Sequence, residues 1–83
     1  MLRTVATKKQ ILEEAGYAYS FDRRIYLNRN ARKVFSLEFV DDNSETKLEA
    51  CINGAPPPIG EWRFYFNSGP SDAVKRDLLK ILA

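Results

Sequence analysis

The segment Ile25–Val40, IYLNRNARKVFSLEFV, constrains the fold more than any other part of the chain. Apolar residues occupy alternate positions in both halves of it: Ile25 and Leu27, then Phe35, Leu37 and Phe39. An alternation of this period is typical of half-buried strands. Between the halves lies Asn28-Arg29-Asn30-Ala31, and asparagine tolerates the left-handed backbone of tight turns. The segment therefore predicts a β-hairpin whose second strand continues to Val40.

Length and composition indicate one small globular domain that spans residues 1–83. The fractions of 45% hydrophobic and 29% charged residues are typical of a folded chain rather than a disordered one. The one cysteine, Cys51, allows no disulfide within the chain, and no signal peptide is apparent, so we expect a cytoplasmic location. No apolar run approaches the ~18 residues of a membrane span, and we expect no membrane partner.

Three amphipathic helices are expected around the strands. The first begins with Thr7-Lys8-Lys9-Gln10, which fits a capping box, and stops at Gly16. The second begins within Asp41–Glu45, where most side chains can accept a hydrogen bond from a free helix amide, and stops at Gly54. The third begins in the turn Ser68–Asp72 and carries its apolar residues on one face.

Two further segments alternate in the manner of strands, Tyr17–Phe21 and Glu61–Asn67. The order is then helix, three strands, helix, strand, helix, which predicts an α+β fold. We expect a two-layer sandwich, with a four-stranded antiparallel or mixed sheet and three helices. The connection from Val40 to Glu61 is long enough for a crossover, which would set the fourth strand parallel to the third. If all helices share one face, the opposite face of the sheet is open to solvent.

The predicted open face interleaves arginine with tyrosine. Its candidate binding residues are Arg24, Tyr26, Arg32, Val34, Arg63 and Tyr65. Tyrosine and arginine are enriched at interface hot spots, so the first hypothesis is a small non-catalytic binding module for a protein partner or a second copy of itself. The alternative is purely structural, because cross-strand pairs of these residues also stabilise an open antiparallel face.

Single-stranded RNA or DNA is the second hypothesis for the partner. Five residues from Arg23 to Lys33 are basic and none is acidic, although the net charge of the chain is only +2. Arginine contacts phosphates and tyrosine stacks on unpaired bases. Arg29 and Lys33 would add phosphate contacts beside the same face, and binding would weaken as salt increases. Alternatively, these charges simply keep the hairpin solvated and discourage edge-to-edge aggregation.

No catalytic residue, cofactor or metal site is expected. Histidine is absent, which removes the commonest general base and the commonest metal ligand. Cys51 lies at helical spacing from Leu48, which predicts a small core residue rather than a nucleophile. Tyrosine, lysine or carboxylate chemistry in a pocket that the sequence does not reveal is the remaining enzymatic alternative.

Overall fold

The computed structural model describes residues 7–69 and 71–82, in which helices flank a four-stranded sheet. The helices are α1 (Lys8–Glu14), α2 (Leu37–Asp42), α3 (Glu45–Asn53) and α4 (Asp72–Leu82). The strands are β1 (Ala18–Ser20), β2 (Ile25–Asn28), β3 (Lys33–Ser36) and β4 (Arg63–Tyr65). They lie in the order β1-β2-β3-β4, antiparallel in the first two pairs and parallel in the last. The α+β class, the mixed sheet and the order of the elements are confirmed.

The helix boundaries follow from short-range capping. Thr7 Oγ1 accepts a hydrogen bond from the Gln10 amide at 3.2 Å, and Gln10 Oε1 accepts one from the Thr7 amide at 2.9 Å, which is the predicted capping box. Ser44 Oγ caps α3 through the Lys47 amide at 3.1 Å. Gly16 follows α1 with φ +92°, a conformation that glycine adopts without steric cost.

The start of α4 is also capped. Ser71 Oγ accepts a hydrogen bond from the Val74 amide at 3.3 Å, and Asp72 lies in the first turn, where a negative charge is favourable. This agrees with a helix that begins in the turn Ser68–Asp72. Pro70, which belongs to the same predicted turn, lies outside the described residues.

The predicted third strand is wrong beyond Ser36, because Leu37–Asp42 is helix α2. Ser36 Oγ accepts a hydrogen bond from the Phe39 amide at 3.1 Å, and an acidic residue occupies the first turn. Leu37 and Val40 have helical spacing as well, so the alternation concealed a second pattern in the same residues. Local capping therefore ends β3 at Ser36, four residues before the predicted end of the strand at Val40.

Both faces of the sheet are covered. On one face α1, α2 and α3 enclose a core of Leu12, Tyr17, Tyr26, Phe35, Val40 and Leu48. On the other face α4 encloses Ile25, Leu27, Val34, Leu78 and Leu82. We call these the three-helix face and the α4 face. The expectation that all helices share one face is wrong, because the central strands are apolar on both sides and each side requires a cover.

Candidate functional site

The residues predicted to form an open binding face do not share a face. Tyr26 lies on the three-helix face and is 6% exposed, whereas Val34 lies on the α4 face and is 0% exposed. Tyr65 is half-buried on the three-helix face, where its ring stacks on Phe35 with 4.5 Å between the ring centroids. The prediction of an open Tyr/Arg face is wrong, because helices cover both sides of the sheet.

Arg24 and Arg32 lie in the turns that precede β2 and β3, and both have left-handed backbones, with φ of +53° and +54°. The Arg32 guanidinium donates hydrogen bonds to backbone carbonyls, from Nε to Glu61 at 3.2 Å and from Nη2 to Pro57 at 3.0 Å. The Arg24 side chain is exposed, and no hydrogen bond or ion pair joins it to another residue in the described ranges. Of these two predicted binding residues, only Arg24 keeps its charged group without an internal partner there.

Three side chains of the β2–β3 hairpin cap the carboxyl ends of three helices. Asn28 Nδ2 donates to the carbonyl of Ala15, directly after α1, at 3.1 Å. Arg29 Nη2 donates to the carbonyl of Ile81 in α4 at 3.3 Å, and Lys33 caps α3. The carboxyl end of a helix carries a partial negative charge, so a cation is favourable there. Arg29 and Lys33, the predicted phosphate contacts, thus have internal partners.

Lys33 is a fully internal cation, with 1% of its surface exposed. Its Nζ donates to the carbonyls of Cys51, Ile52 and Gly54 at 2.9, 3.0 and 2.8 Å, which satisfies all three ammonium protons. Burial lowers the pKa of Lys33, and the positive charge of Arg63 lowers this pKa further. A phosphate group outside the fold has no access to this ammonium.

Arg63 completes this arrangement, since its Nη1 donates to the carbonyl of Ala55 at 2.9 Å. We call Arg29, Arg32, Lys33 and Arg63, together with their carbonyl acceptors, the carbonyl clamp. Its acceptors are 8 to 52 residues away along the chain, so spacing alone gave no sign of them. One local signal was present in β3. Lys33 lies two residues before Phe35, so the alternation places both side chains on the same buried face of the strand.

A groove of about 410 Å³ lies at the other end of the sheet, where β3 and β4 end. Ile25, Leu37 and Phe66 contribute apolar surface to it, and Arg24 and Glu38 contribute charges of opposite sign. Ligands often bind beyond the carboxyl ends of parallel strands. However, the described residues contain no group of three potential metal ligands, and the groove holds no histidine. The groove thus offers shape and mixed charge, without an evident acid–base pair.

β4 is an edge strand of the described sheet, since β3 is its one partner there. The Arg63 amide donates to the carbonyl of Arg32 at 2.9 Å, so it points toward β3. Successive residues of a strand turn their amides to opposite sides, which directs the N–H and C=O groups of Phe64 away from β3. The outer edge of β4 therefore presents backbone donors and acceptors.

An aromatic row accompanies this edge on the α4 face. It consists of Trp62, Phe64 and Phe66, which pack against the α4 core and remain partly exposed. α4 buries Leu78 and Leu82 against the central strands β2 and β3, which leaves part of the row uncovered. The rings of Phe64 and Phe66 meet edge to face, with centroids 6.1 Å apart. Partly exposed rings beside free backbone groups form a surface to which another strand can add.

The sequence pattern identified the strand that carries this row and missed its position at the edge. The alternation within Glu61–Asn67 does not contain the strand order, which leaves Trp62, Phe64 and Phe66 only partly covered. Comparison with known proteins gives no guide to function: no family model, curated protein or solved structure matches this chain.

Proposed function

We propose that this chain is a small non-catalytic binding module that engages a protein through the outer edge of β4. The observation that carries the proposal is the outward-facing backbone of Phe64 beside a partly exposed aromatic row. An extended segment that pairs with this edge gains main-chain hydrogen bonds. Its alternate side chains then pack against Trp62, Phe64 and Phe66.

The carbonyl clamp favours a protein over single-stranded RNA or DNA as the partner. Arg29, Arg32 and Arg63 already donate to carbonyl groups, and Lys33 is buried. A phosphate backbone would have to compete with these internal acceptors. Arg24 is the one predicted contact whose charged group has no partner in the described ranges. Binding at β4 should consequently show little of the salt dependence that phosphate contacts produce.

The absence of histidine supports a non-catalytic role. The proposal places the module in the cytoplasm, where an unpaired thiol such as that of Cys51 is ordinary. Among the helices of residues 7–69 and 71–82, none combines the length and apolar character needed to cross a bilayer.

A display library of random peptides of about 12 residues tests the proposed edge. The targets are the wild-type chain, Phe64→Pro and Ser20→Lys. Proline at position 64 removes an amide that faces away from β3, so the β3–β4 ladder is kept. Ser20→Lys alters β1, the opposite edge strand, and is the matched control. Two-dimensional amide spectra verify that each variant is folded.

We expect selected peptides to bind the wild type and the control equally and to bind Phe64→Pro at least about tenfold more weakly. Their binding should shift the amide resonances of residues 62–66 first. Peptides that bind all three proteins alike, or that shift only residues around the groove, would refute the role of this edge. A mixed single-stranded oligonucleotide that binds β4 more tightly than any peptide would move the assignment to nucleic acid.

A further inference from the structure

The outer edge of β4 is complementary to itself in one antiparallel register. We infer that the partner is a second copy of this chain, joined β4 to β4 across a two-fold axis at Phe64, an inference that rests on the proposed function. In this register Phe64 lies opposite Phe64 of the second copy, and Trp62 lies opposite Phe66. Arg63 lies opposite Tyr65, so the charged residue of β4 faces an aromatic residue of the second copy.

The backbone geometry suits this register. Phe64 directs its N–H and C=O groups outward, and in the proposed dimer the pairing extends past the ends of β4 to Trp62 and Phe66, which continue the same alternation. Opposed residues that both face the shared edge form hydrogen-bonded pairs, so the three pairs supply about six hydrogen bonds. The two four-stranded sheets would then continue as one sheet of eight strands.

The side chains match on both faces of the joined sheet. On the α4 face, the two rows of three rings become one continuous patch in which aromatic residues pair across the strands. On the three-helix face, Arg63 lies opposite Tyr65 of the other copy, so the two arginines do not face each other. Glu61 lies opposite Asn67, so no like charges meet.

Pairing is less favourable in the neighbouring registers of β4 and at the opposite edge strand, β1. A shift that moves the axis to Arg63 opposes two arginines, which is unfavourable in a directly facing pair. A shift that moves the axis to Tyr65 leaves Trp62 beyond the paired aromatic segment. The opposite edge strand, Ala18–Ser20, contains one aromatic residue between two small ones. It offers no comparable row of rings.

Sedimentation velocity of the wild-type chain, from about 10 µM to about 1 mM, is the first test, because an edge of this size supports only a weak dimer. We expect a shift from monomer to dimer across this range. Phe64→Lys should weaken the dimer at least about tenfold, whereas Ser20→Lys on β1 should leave it unchanged.

Cysteine cross-linking in a Cys51→Ser background tests the register. Opposed residues in a hydrogen-bonded pair have Cα atoms about 5.5 Å apart, within the range that a disulfide spans. Phe64→Cys should therefore form a covalent dimer under mild oxidation. Phe66→Cys alone should not, because its two copies lie roughly 14 Å apart in this register. An equimolar mixture of Trp62→Cys and Phe66→Cys proteins should form the heterodimer.

The outcomes separate this inference from the proposed function. A wild-type chain that stays monomeric to about 1 mM, while library peptides still bind at residues 62–66, would reject the self-pairing and leave the proposed function in place. A dimer that cross-links through Phe66→Cys alone would reject the register. A monomeric chain whose β4 edge also binds no peptide would reject both.

Discussion

Arg32 and Arg24 lie at opposite ends of the sheet, and their side chains are used in opposite ways. At the end that holds the carbonyl clamp, Arg32 has a left-handed backbone and its guanidinium binds two carbonyl groups. At the groove end, Arg24 has nearly the same φ, but its guanidinium is exposed beside the cavity. A basic run in a sequence does not distinguish these roles. The difference is set by which backbone carbonyls the fold brings within reach.

The clamp end also explains how a domain with such short elements holds together. The four helices within residues 7–69 and 71–82 have 6 to 11 residues, and helices of this length are marginal alone in water. The β2–β3 hairpin caps the carboxyl ends of α1, α3 and α4 through Asn28, Lys33 and Arg29. One hairpin thus positions three helices on two faces. At the groove end, Arg23 pairs with Asp77 of α4 and Lys8 donates to the carbonyl of Asp41 in α2, and a cavity remains between these contacts.

Lys33→Met should produce the largest effect, because it removes the buried ammonium of the clamp and leaves the carbonyls of Cys51, Ile52 and Gly54 without their donor. Each buried acceptor that loses its partner costs about 1 kcal/mol or more, so we expect unfolding in urea to be easier by about 3 kcal/mol. Lys47→Met, at an exposed position of α3, is the matched control and should change stability by less than about 0.5 kcal/mol.

A loss below about 1 kcal/mol for Lys33→Met would mean that water replaces the ammonium, and the clamp would then not be what holds the end of α3. Amide hydrogen exchange of residues 51–54 distinguishes the cases. If the clamp holds this helix end, these amides should lose more protection than those of β2 in the Lys33→Met variant.

The hydroxyl of Tyr17, on the three-helix face, contrasts with the Lys33 ammonium, whose protons are all hydrogen-bonded. The hydroxyl of Tyr17 is buried and, among the described residues, has no hydrogen-bond partner. Burial raises the pKa of Tyr17 to about 12, and the nearby Tyr65 and Cys51 add to this increase. The folded state therefore retains this proton above pH 10, where the unfolded chain releases it. The stability contributed by the neutral ring is complete below pH 10 and is lost as pH rises toward 12.

Tyr17→Phe should abolish this part of the alkaline loss. The difference in unfolding free energy between pH 8 and pH 11 should be smaller in the variant by about 1.4 kcal/mol, the value of one pKa unit. At pH 7 the variant should equal or slightly exceed the wild type, since no internal hydrogen bond is lost. If both proteins lose the same unfolding free energy between pH 8 and pH 11, the Tyr17 hydroxyl must reach water. It would then not be a buried group without a hydrogen bond, and it would no longer contrast with Lys33.

Local features of this fold were accessible from the sequence, and features that depend on distant partners were not. The Thr7 capping box and the Gly16 stop involve neighbours within a few residues, so the pattern predicted both correctly. The distribution of helices over two faces was missed, because Ile25-Tyr26-Leu27 was divided into a buried and an open side when both sides are buried. The acceptors of Lys33 lie 18 to 21 residues away and became visible only in three dimensions.

The smallest predicted effect concerns Arg24 and Arg32. Replacing each with glycine should change the unfolding free energy in opposite directions at the two ends of the sheet. Glycine accepts a positive φ freely, so Arg24→Gly should raise the unfolding free energy by about 0.5 kcal/mol, since the Arg24 side chain has no hydrogen bond or ion pair to another described residue. Arg32→Gly relieves the same backbone strain, but it also removes two hydrogen bonds from the guanidinium to carbonyl groups. We therefore expect the unfolding free energy of this variant to fall by about 1 kcal/mol. Urea unfolding of both variants measures the difference. Two gains of equal size would show that the hydrogen bonds of Arg32 contribute nothing, and the distinction between the ends would then rest on Lys33 alone.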